Sequence, residues 1–201
     1  MLHNDNLVFR RAETLEDFQK IFALQNKNLV TELGENDLKD GFLSGSFTLE
    51  QLRAVNENIC IITCFSGSDL CGYHVASTLE FNKNSPLLMQ MMLQFDKIIY
   101  KDKRLSEYNC FIAGPTCIDK EYRGQGIYPR LIASSFDFLK NTQNPARLRI
   151  SFASKLNPRS INAQNKIGCE IIGEFEFNSN KFMILCRDIE DHLRAPIINQ
   201  T

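Results

Sequence analysis

The sequence lacks an apolar run of the roughly 20 residues that a membrane-spanning helix needs. The segment Met1–Asp5 also lacks the basic and apolar regions of a secretory signal peptide. Neither sign of charge dominates, because 23 Lys and Arg residues balance 24 Asp and Glu residues and leave a net charge of -1. These absences predict a cytoplasmic protein with no electrostatic attraction to nucleic acid or to an anionic membrane.

The sequence also lacks the paired cysteine or histidine spacings of a zinc site. Its seven cysteines are odd in number, include no Cys-x-x-Cys pair and lie mostly in apolar, strand-like runs. Such cysteines are typical of buried, reduced thiols in a cytosolic protein. We therefore expect neither a metal nor a disulfide framework.

What remains is an ordinary globular composition, with 201 residues of which 43% are hydrophobic and 23% are charged. This length and composition predict one domain, residues 1–201, with a sizeable core. Hydrophobic spacing and turn residues predict the element order β-α-α-β-β-α-β-α-β-α-β-β. This order predicts an α/β (or α+β) layered fold, a mixed sheet of about seven strands flanked by helices.

Short local signals predict where several elements begin and end. Thr14 followed by Asp17, and the capping box Thr48–Gln51, predict two helix starts. Ser85-Pro86 has the residues of a third helix start. Asn178–Asn180 stands between two apolar runs and predicts a hairpin. Gly114-Pro115 interrupts a strand, Phe111–Ile118, and predicts a bulge or an unpaired edge there.

The most informative stretch is Tyr122-Arg123-Gly124-Gln125-Gly126-Ile127-Tyr128, which follows a predicted strand, 109–119, and precedes a predicted helix, 128–140. The first turn of a helix has backbone N–H groups without intrahelical partners, at the positive end of the helix dipole. The glycines let a ligand approach the backbone, and Arg123 adds a permanent charge. The stretch predicts a phosphate or pyrophosphate site, with a plain structural turn as the alternative.

Two common phosphate-binding motifs are absent from this stretch. Gly126 is followed by Ile127 instead of the Lys of a Walker loop, and the third glycine of a dinucleotide fingerprint is replaced by Pro129. The pattern Arg123-x-x-Gly126-x-(Gly/Ala), preceded by Ile118-x-x-x-Tyr122, instead resembles the acetyl-CoA loop of the GNAT N-acetyltransferase superfamily. The family usually has Gly or Ala at Tyr128, so that side chain must point away from the phosphates or reshape the loop.

A second stretch, Asn157–Cys169, is similar to the family pattern Asn-x-x-Ala-x-x-x-Tyr-x-x-x-Gly-Phe and lies at the expected spacing from the first. The two motifs together cover Phe111–Asp188. The resemblance implies an acceptor-side half at about residues 1–108 and an acetyl-CoA-binding half at about residues 109–188. The chain departs from the family at Gln164, where the usual Tyr acts as an acid and a glutamine cannot.

The resemblance implies acetyl-CoA as a co-substrate and no metal. Backbone groups at the end of the interrupted strand would bind pantetheine, the glycine loop would hold the pyrophosphate, and Asn157 would approach the distal arm of the cofactor. Tyr128 would lie at the phosphates and not at the thioester. A simple helix N-cap is the alternative for Asn157. The implied cofactor-binding residues are Thr116, Cys117, Ile118, Arg123, Gly124, Gln125, Gly126, Ile127, Tyr128 and Asn157.

The implied activity is direct attack of a substrate amine on the thioester, with a small-molecule or peptide amine as the acceptor. Phe42, Phe47 and His74 are the candidate acceptor contacts, with helix packing and a structural strand histidine as the alternatives. His74 is also the candidate for catalysis, and no other catalytic residue is assigned. Cys117 is not expected to be a nucleophile, because it is an apolar-strand thiol without a nearby basic partner.

Two other functions stay open at this point. The same fold can serve as a non-catalytic acyl-CoA-binding or sensing module, which Gln164 and Tyr128 favour. A nucleotide-binding protein using the same loop is a third possibility. Both a monomer and a homodimer are compatible with the sequence.

Overall fold

The computed structural model describes residues 7–142 and 145–194, so Met1–Asp5 lies outside the described residues. The strands are β1 (Leu7–Arg11), β2 (Cys60–Ser66), β3 (Asp69–Thr78), β4 (Ile99–Tyr100), β5 (Lys103–Arg104), β6 (Cys110–Ile118), β7 (Leu148–Ser154), β8 (Glu170–Phe177) and β9 (Asn180–Asp188). The α-helices are α1 (Leu15–Asn26), α2 (Glu35–Leu38), α3 (Leu49–Asn58), α4 (Pro86–Met92), α5 (Ile127–Lys140), α6 (Pro158–Lys166) and α7 (Ile189–Arg194).

Seven of these strands form one mixed sheet in the order β1-β2-β3-β6-β7-β9-β8. Neighbouring strands are antiparallel, except that β6 and β7 are parallel. The two-residue strands β4 and β5 pair separately and were not predicted. The predicted α/β architecture with a mixed, roughly seven-stranded sheet is confirmed.

The helix caps and the hairpin turn that the sequence predicts are present in the structure. Thr14–Asp17 and Thr48–Gln51 both make complete capping boxes, and Ser85 caps α4 ahead of Pro86. The hairpin of β8 and β9 turns at Asn178 and Ser179, whose φ angles of 48° and 60° are left-handed. Asparagine tolerates that conformation better than most residues, which explains why the turn forms there.

Helices cover both faces of the sheet. On one face, α1 and α3 pack over β2 and β3, and Leu52 and Val55 contact the cluster that includes Tyr73. On the same side of the molecule a second cluster joins Met91 of α4 to the strands at the other end of the sheet. On the opposite face α5 packs over the centre of the sheet through Phe136 and its neighbours. None of the helices in the described ranges has the length and apolar character that crossing a bilayer requires.

The interruption at Gly114-Pro115 is a bulge, as predicted. The pairs His74↔Thr116 and Ala76↔Ala113 leave one residue of β3 opposite two residues of β6. On its other edge, β6 pairs with β7 through three residue pairs that end at Ile112↔Ile150. The parallel pair therefore forms only where the two strands begin, and the strands part beyond it.

Candidate functional site

A cleft with a volume of about 1800 Å³ opens where β6 and β7 part. It is lined by β6 from Ile112 to Ile118 and by β7 from Phe152 to Ser154. Parted strands present backbone donors and acceptors that have no partner in the other strand. An extended ligand can bind such edges as an added strand does.

The cleft reaches the N-terminus of α5. Gly126 is the N-cap of this helix and has a left-handed φ of 71°, and Gly124 has a φ of 80°. A β-carbon at either glycine would meet no atom of the described residues within 4 Å, so the backbone here is open to a ligand. Gln125 differs from its neighbours, because its side-chain amide donates to the carbonyl of Glu121 at 3.4 Å. The loop has the form of an anion site at a helix N-terminus.

The guanidinium of Arg123 makes three hydrogen bonds to other residues of the protein. Its Nε donates to the carbonyl of Ile118 at 3.0 Å, its Nη1 to the carbonyl of Asp40 at 2.9 Å, and its Nη2 to Oδ1 of Asn28 at 2.9 Å. A guanidinium has five N–H groups. Two of the three bonds, those to Asp40 and Asn28, hold the segment 28–47, which we call the strap. The positive charge still stands beside the loop, but the sequence did not indicate this second role.

Asn157 also contacts the strap. Its Oδ1 accepts from the N–H of Ser160 at 3.1 Å, which is the helix N-cap, and its Nδ2 donates to the carbonyl of Phe42 at 2.9 Å. Both polar atoms of the side chain therefore have partners in the protein. The strap is thus tied to both sequence motifs, and the contact of Asn157 with a cofactor stays a prediction.

The strap carries the two aromatic residues assigned to the acceptor. Phe42 and Phe47 both line the cleft, as do Leu87 and Leu88 at the start of α4. The main chain of Phe47 is held by the side-chain amide of Gln25. The role of these phenylalanines as acceptor contacts stays a prediction.

His74 is not where the sequence led us to expect it. The ring is fully buried, and its Nδ1 lies 2.7 Å from Oγ1 of Thr116. Strand alternation places His74 on the same face as Ala76, beneath α5 and away from the acceptor side of the sheet. Burial, assisted by the charge of Arg149, holds the pKa of His74 well below its ordinary value. His74 is therefore a neutral core histidine and does not line the cleft.

The side chain of Tyr128 takes the first of the two arrangements expected for it and points away from the phosphate loop. Its hydroxyl lies 3.5 Å from Nη2 of Arg149, so the side chain turns inward and away from the phosphate loop. Burial raises the pKa of this hydroxyl above its ordinary value, against the opposing effect of Arg149. Only the backbone of Tyr128 remains at the loop, because the inner face of α5 begins at this turn.

Arg149 is the functional candidate that sequence reasoning missed. Its side chain is 1% exposed, and its Nη1 donates to Oγ of Ser151 at 2.8 Å and to Oε1 of Gln164 at 3.1 Å. Nη1 also lies 3.2 Å from Sγ of Cys169. The available signal was the run Leu148–Phe152, in which polar residues alternate with apolar ones along a strand covered by helices on both faces.

The cysteines form neither disulfides nor a reactive centre. All seven cysteines are buried and unpaired. Burial raises the pKa of the Cys117 thiol to about 12, which leaves it protonated and unreactive although it borders the cleft. Among the side chains that the structure describes, no three His, Cys, Asp or Glu residues come together in a way that could hold a metal ion.

No protein-family model matches this sequence, and no curated protein is similar to it in sequence. Solved structures resemble it over most of its length. A GNAT-family acetyltransferase from Streptococcus pneumoniae has 14% identity over 91% of this chain and 99% of its own, with a TM-score of 0.59. An N-acetyltransferase from Staphylococcus aureus Mu50 has 14% identity over 92% and 99%, also with a TM-score of 0.59. The NatC complex bound to Gag peptide and CoA has a chain with 12% identity over 91% and 98%, with a TM-score of 0.60. The chain therefore has the GNAT acetyltransferase fold.

Proposed function

We propose that this protein is an N-acetyltransferase that moves an acetyl group from acetyl-CoA to an amine. The observation that carries the proposal is the end of the β6–β7 ladder at the pair Ile112↔Ile150, which opens a cleft running to the N-terminus of α5. An anion site and a pair of free strand edges thus lie in one continuous cleft. Acetyl-CoA has the matching parts, a pyrophosphate followed by a chain containing two amides.

In this proposal the backbone N–H groups from Gln125 to Tyr128 hold the pyrophosphate, with the charge of Arg123 beside them. The pantetheine amides bond to the free edge of β6 from Thr116 to Ile118. Alternate residues of an antiparallel strand direct their backbone groups to opposite edges, and the bond from the N–H of Asp119 to the carbonyl of Cys71 places those of Cys117 toward β3. The carbonyl of Ile118 already accepts from Arg123, so the N–H and carbonyl of Thr116 and the N–H of Ile118 supply the remaining backbone groups. The mode of binding is that of an added β-strand.

The chemistry requires an amine to reach the thioester carbon with its lone pair free. A C–N bond forms, the C–S bond breaks, and the products are the amide and free CoA. Holding the two reactants in line can supply about 7–11 kcal/mol of the barrier in well-oriented reactions. The cleft supplies that alignment even where no side chain transfers a proton.

The acceptor enters from the side of the strap and α4, where Phe42, Phe47, Leu87 and Leu88 make an apolar wall. We propose a small-molecule or peptide amine, and the peptide- and CoA-bound NatC complex supports the second class by likeness of fold alone. The seven unpaired thiols favour a reducing compartment, which we take to be the cytoplasm.

A second function is favoured by one observation. Gln164 stands where an ionisable side chain would serve as a proton donor, and its Oε1 is occupied by Ser151 and Arg149. A site whose residue at this position cannot donate a proton can bind acyl-CoA without turning it over. The second candidate is therefore an acyl-CoA-binding module on the same fold.

The first test is thermal unfolding with and without acetyl-CoA, with ATP as the control ligand. Ligand at about 100 times its dissociation constant adds about 2.7 kcal/mol to the free energy of unfolding. For a chain of this size, the midpoint rises by about 5–10 °C. An equal rise with ATP would favour a nucleotide-binding protein, and no rise with saturating acetyl-CoA would overturn the proposal.

The second test separates the enzyme from the binding module. Release of free CoA from acetyl-CoA is followed over a panel of small amines and peptides with free N-termini, with a reaction lacking amine as the background. Amine-dependent CoA release, with the acetylated product detected by mass, supports the enzyme. Tight binding without release across the panel supports the module.

A further inference from the structure

Arg149 lies at the closed end of the cleft. It pairs with Phe111, one step before the last β6–β7 pair, Ile112↔Ile150. Its guanidinium reaches along the strand to Ser151, the first residue of β7 beyond that last pair. Arg149 thus forms the floor at the point where the two strands begin to separate, and its atoms line the cleft.

The guanidinium has no carboxylate partner among the described residues. Its bonds go to two hydroxyls, one amide oxygen and one thiol, and its buried Nε has no hydrogen-bond partner within the described part of the chain. The polar and titratable groups that face it come from every surrounding element, namely His74 of β3, Tyr128 of α5, Ser151 of β7, Gln164 of α6, Cys169 before β8 and Arg187 of β9.

A buried cation without a counter-ion is expensive, because its hydration is lost and nothing of opposite charge replaces it. Neutral hydrogen bonds offset only part of that cost. The neighbouring groups respond to the uncompensated charge, since Arg149 contributes to the lowered pKa values of both His74 and Arg187, after the larger effect of burial. The floor of the cleft therefore carries a positive potential that is already in place before a ligand binds.

The direction of a bound acyl-CoA follows from the shape of the cleft, provided that the proposed function holds. With its phosphates at the N-terminus of α5, the pantetheine chain extends between the free strand edges toward the point where they meet. That point is the floor formed by Arg149 and Gln164. The thioester sulfur then lies in the positive potential of the guanidinium.

We propose that Arg149 stabilises the thiolate of bound CoA and so makes CoA a good leaving group without a proton from the residue at position 164. When the amine lone pair attacks, the C–S bond breaks and its electron pair stays on sulfur as the thiolate. The proton lost by the new ammonium passes to water in the cleft. Preorganised charge of this kind lowers a barrier because it needs no reorganisation as charge develops.

The test measures the pKa of the CoA thiol while CoA is bound to the protein. CoA labelled with ¹³C at the carbon next to sulfur is titrated by NMR in the wild type and in Arg149→Met, which keeps the length of the side chain and removes its charge. We expect bound CoA in the wild type to have a thiol pKa at least one unit below that of free CoA. Arg149→Met removes most of this difference, Arg149→Lys restores part of it, and the exposed Arg104→Met leaves it unchanged.

Turnover gives a second readout. Arg149→Met lowers kcat by about 10²-fold, the effect of removing one preorganised donor, while the dissociation constant of CoA changes little. A thiol pKa that is the same in the wild type and Arg149→Met overturns the inference and leaves acyl transfer standing. A lowered thiol pKa without transfer to any amine removes the acyltransferase and keeps the electrostatic role. If Arg149→Met weakens only a dicarboxylic acyl-CoA such as succinyl-CoA, Arg149 binds a ligand carboxylate and the inference is wrong.

Discussion

Arg149 and Arg187 stand directly opposite each other on the antiparallel strands β7 and β9, and their side chains are only 1% and 4% exposed. Like charges in directly opposed positions of a sheet destabilise it. Burial also holds the pKa of Arg187 below its ordinary value. A fold selected only for stability would place apolar residues here, which is the reason that we assign Arg149 to the proposed ligand site.

Removing this charge should not weaken the fold. We expect Arg149→Met to have a free energy of unfolding equal to or above that of the wild type, because an apolar side chain of similar length needs no buried counter-ion. The reference is Leu131→Ala in α5, a buried truncation that should cost about 2–5 kcal/mol. Urea unfolding of the three proteins measures the difference. A loss of several kcal/mol in Arg149→Met would mean that the guanidinium is structural.

Acid should weaken the end of β9 through Asp188. Burial opposes ionisation of this carboxylate, but hydrogen bonds from Arg147 and Lys101 outweigh it and lower its pKa to about 2. A lowered pKa stabilises the folded state above the unfolded value near 3.8, and this contribution is lost as the pH falls toward 2.

Asp188→Asn is the variant that measures this contribution. We expect it to lose about 2 kcal/mol at neutral pH, which corresponds to the difference between the two pKa values. Unfolding by urea is compared at neutral pH and near pH 2, where the two proteins should become nearly equal in stability. A constant difference across this range would assign the loss to packing and not to ionisation.

The strap gives Arg123 a role that can be separated from its charge. Arg123→Lys keeps the positive charge but can replace only part of the three bonds to Ile118, Asp40 and Asn28. We expect acetyl-CoA affinity to fall about tenfold, or about 1.4 kcal/mol, because the strap loosens over the cleft. Isothermal titration calorimetry measures the dissociation constant of acetyl-CoA, with the exposed Arg53→Lys as the control. Unchanged affinity would show that only the charge matters.

The two hydrogen bonds of Asn157, one that caps α6 and one that holds the strap, can also be tested separately. Asn157→Ser keeps an oxygen that can cap α6 but removes the Nδ2 that donates to the carbonyl of Phe42. We expect faster amide hydrogen exchange in residues 40–44 and unchanged exchange in α6. Asn157→Ala is the matched variant. It should lose both the cap of α6 and the bond to Phe42, and its free energy of unfolding should fall by about 1 kcal/mol. Faster exchange in α6 with Ser would contradict the assignment.

Local features of the fold could be predicted because their causes lie within a few residues. The caps at Thr14, Thr48 and Ser85 and the turn at Asn178–Asn180 each depend on a side chain that bonds or bends its own backbone. Gly114-Pro115 forced a bulge for the same reason. The glycine loop could be assigned to a strand–helix junction because Gly124 and Gly126 stand between two clear hydrophobic patterns.

The features that were not predicted depend on contacts between distant parts of the chain. Arg149 is buried because α5 and α6 lie over its face of the sheet and β9 pairs beside its strand, which its own neighbours in sequence do not reveal. The contact of the Tyr128 hydroxyl with Arg149 and the burial of His74 beneath α5 have the same origin. Arg123 and Asn157 were predicted to contact a ligand, and no pattern in the sequence indicates that they also form hydrogen bonds with the strap.

The short β6–β7 ladder has a consequence for how the whole protein melts. In the part of the chain that the structure describes, strand pairing between the block β1-β2-β3-β6 and the block β7-β9-β8 is limited to the three residue pairs from Cys110↔Leu148 to Ile112↔Ile150. A ligand hydrogen-bonded to the free edges of both β6 and β7 would link these two blocks of strands. Without it, the hydrophobic clusters beneath α5 and α4 remain as the main link, and we expect each block to open at a lower free energy than global unfolding requires. We expect the ligand-free protein to unfold with less cooperativity, and a bound acyl-CoA to make the two blocks melt as one unit.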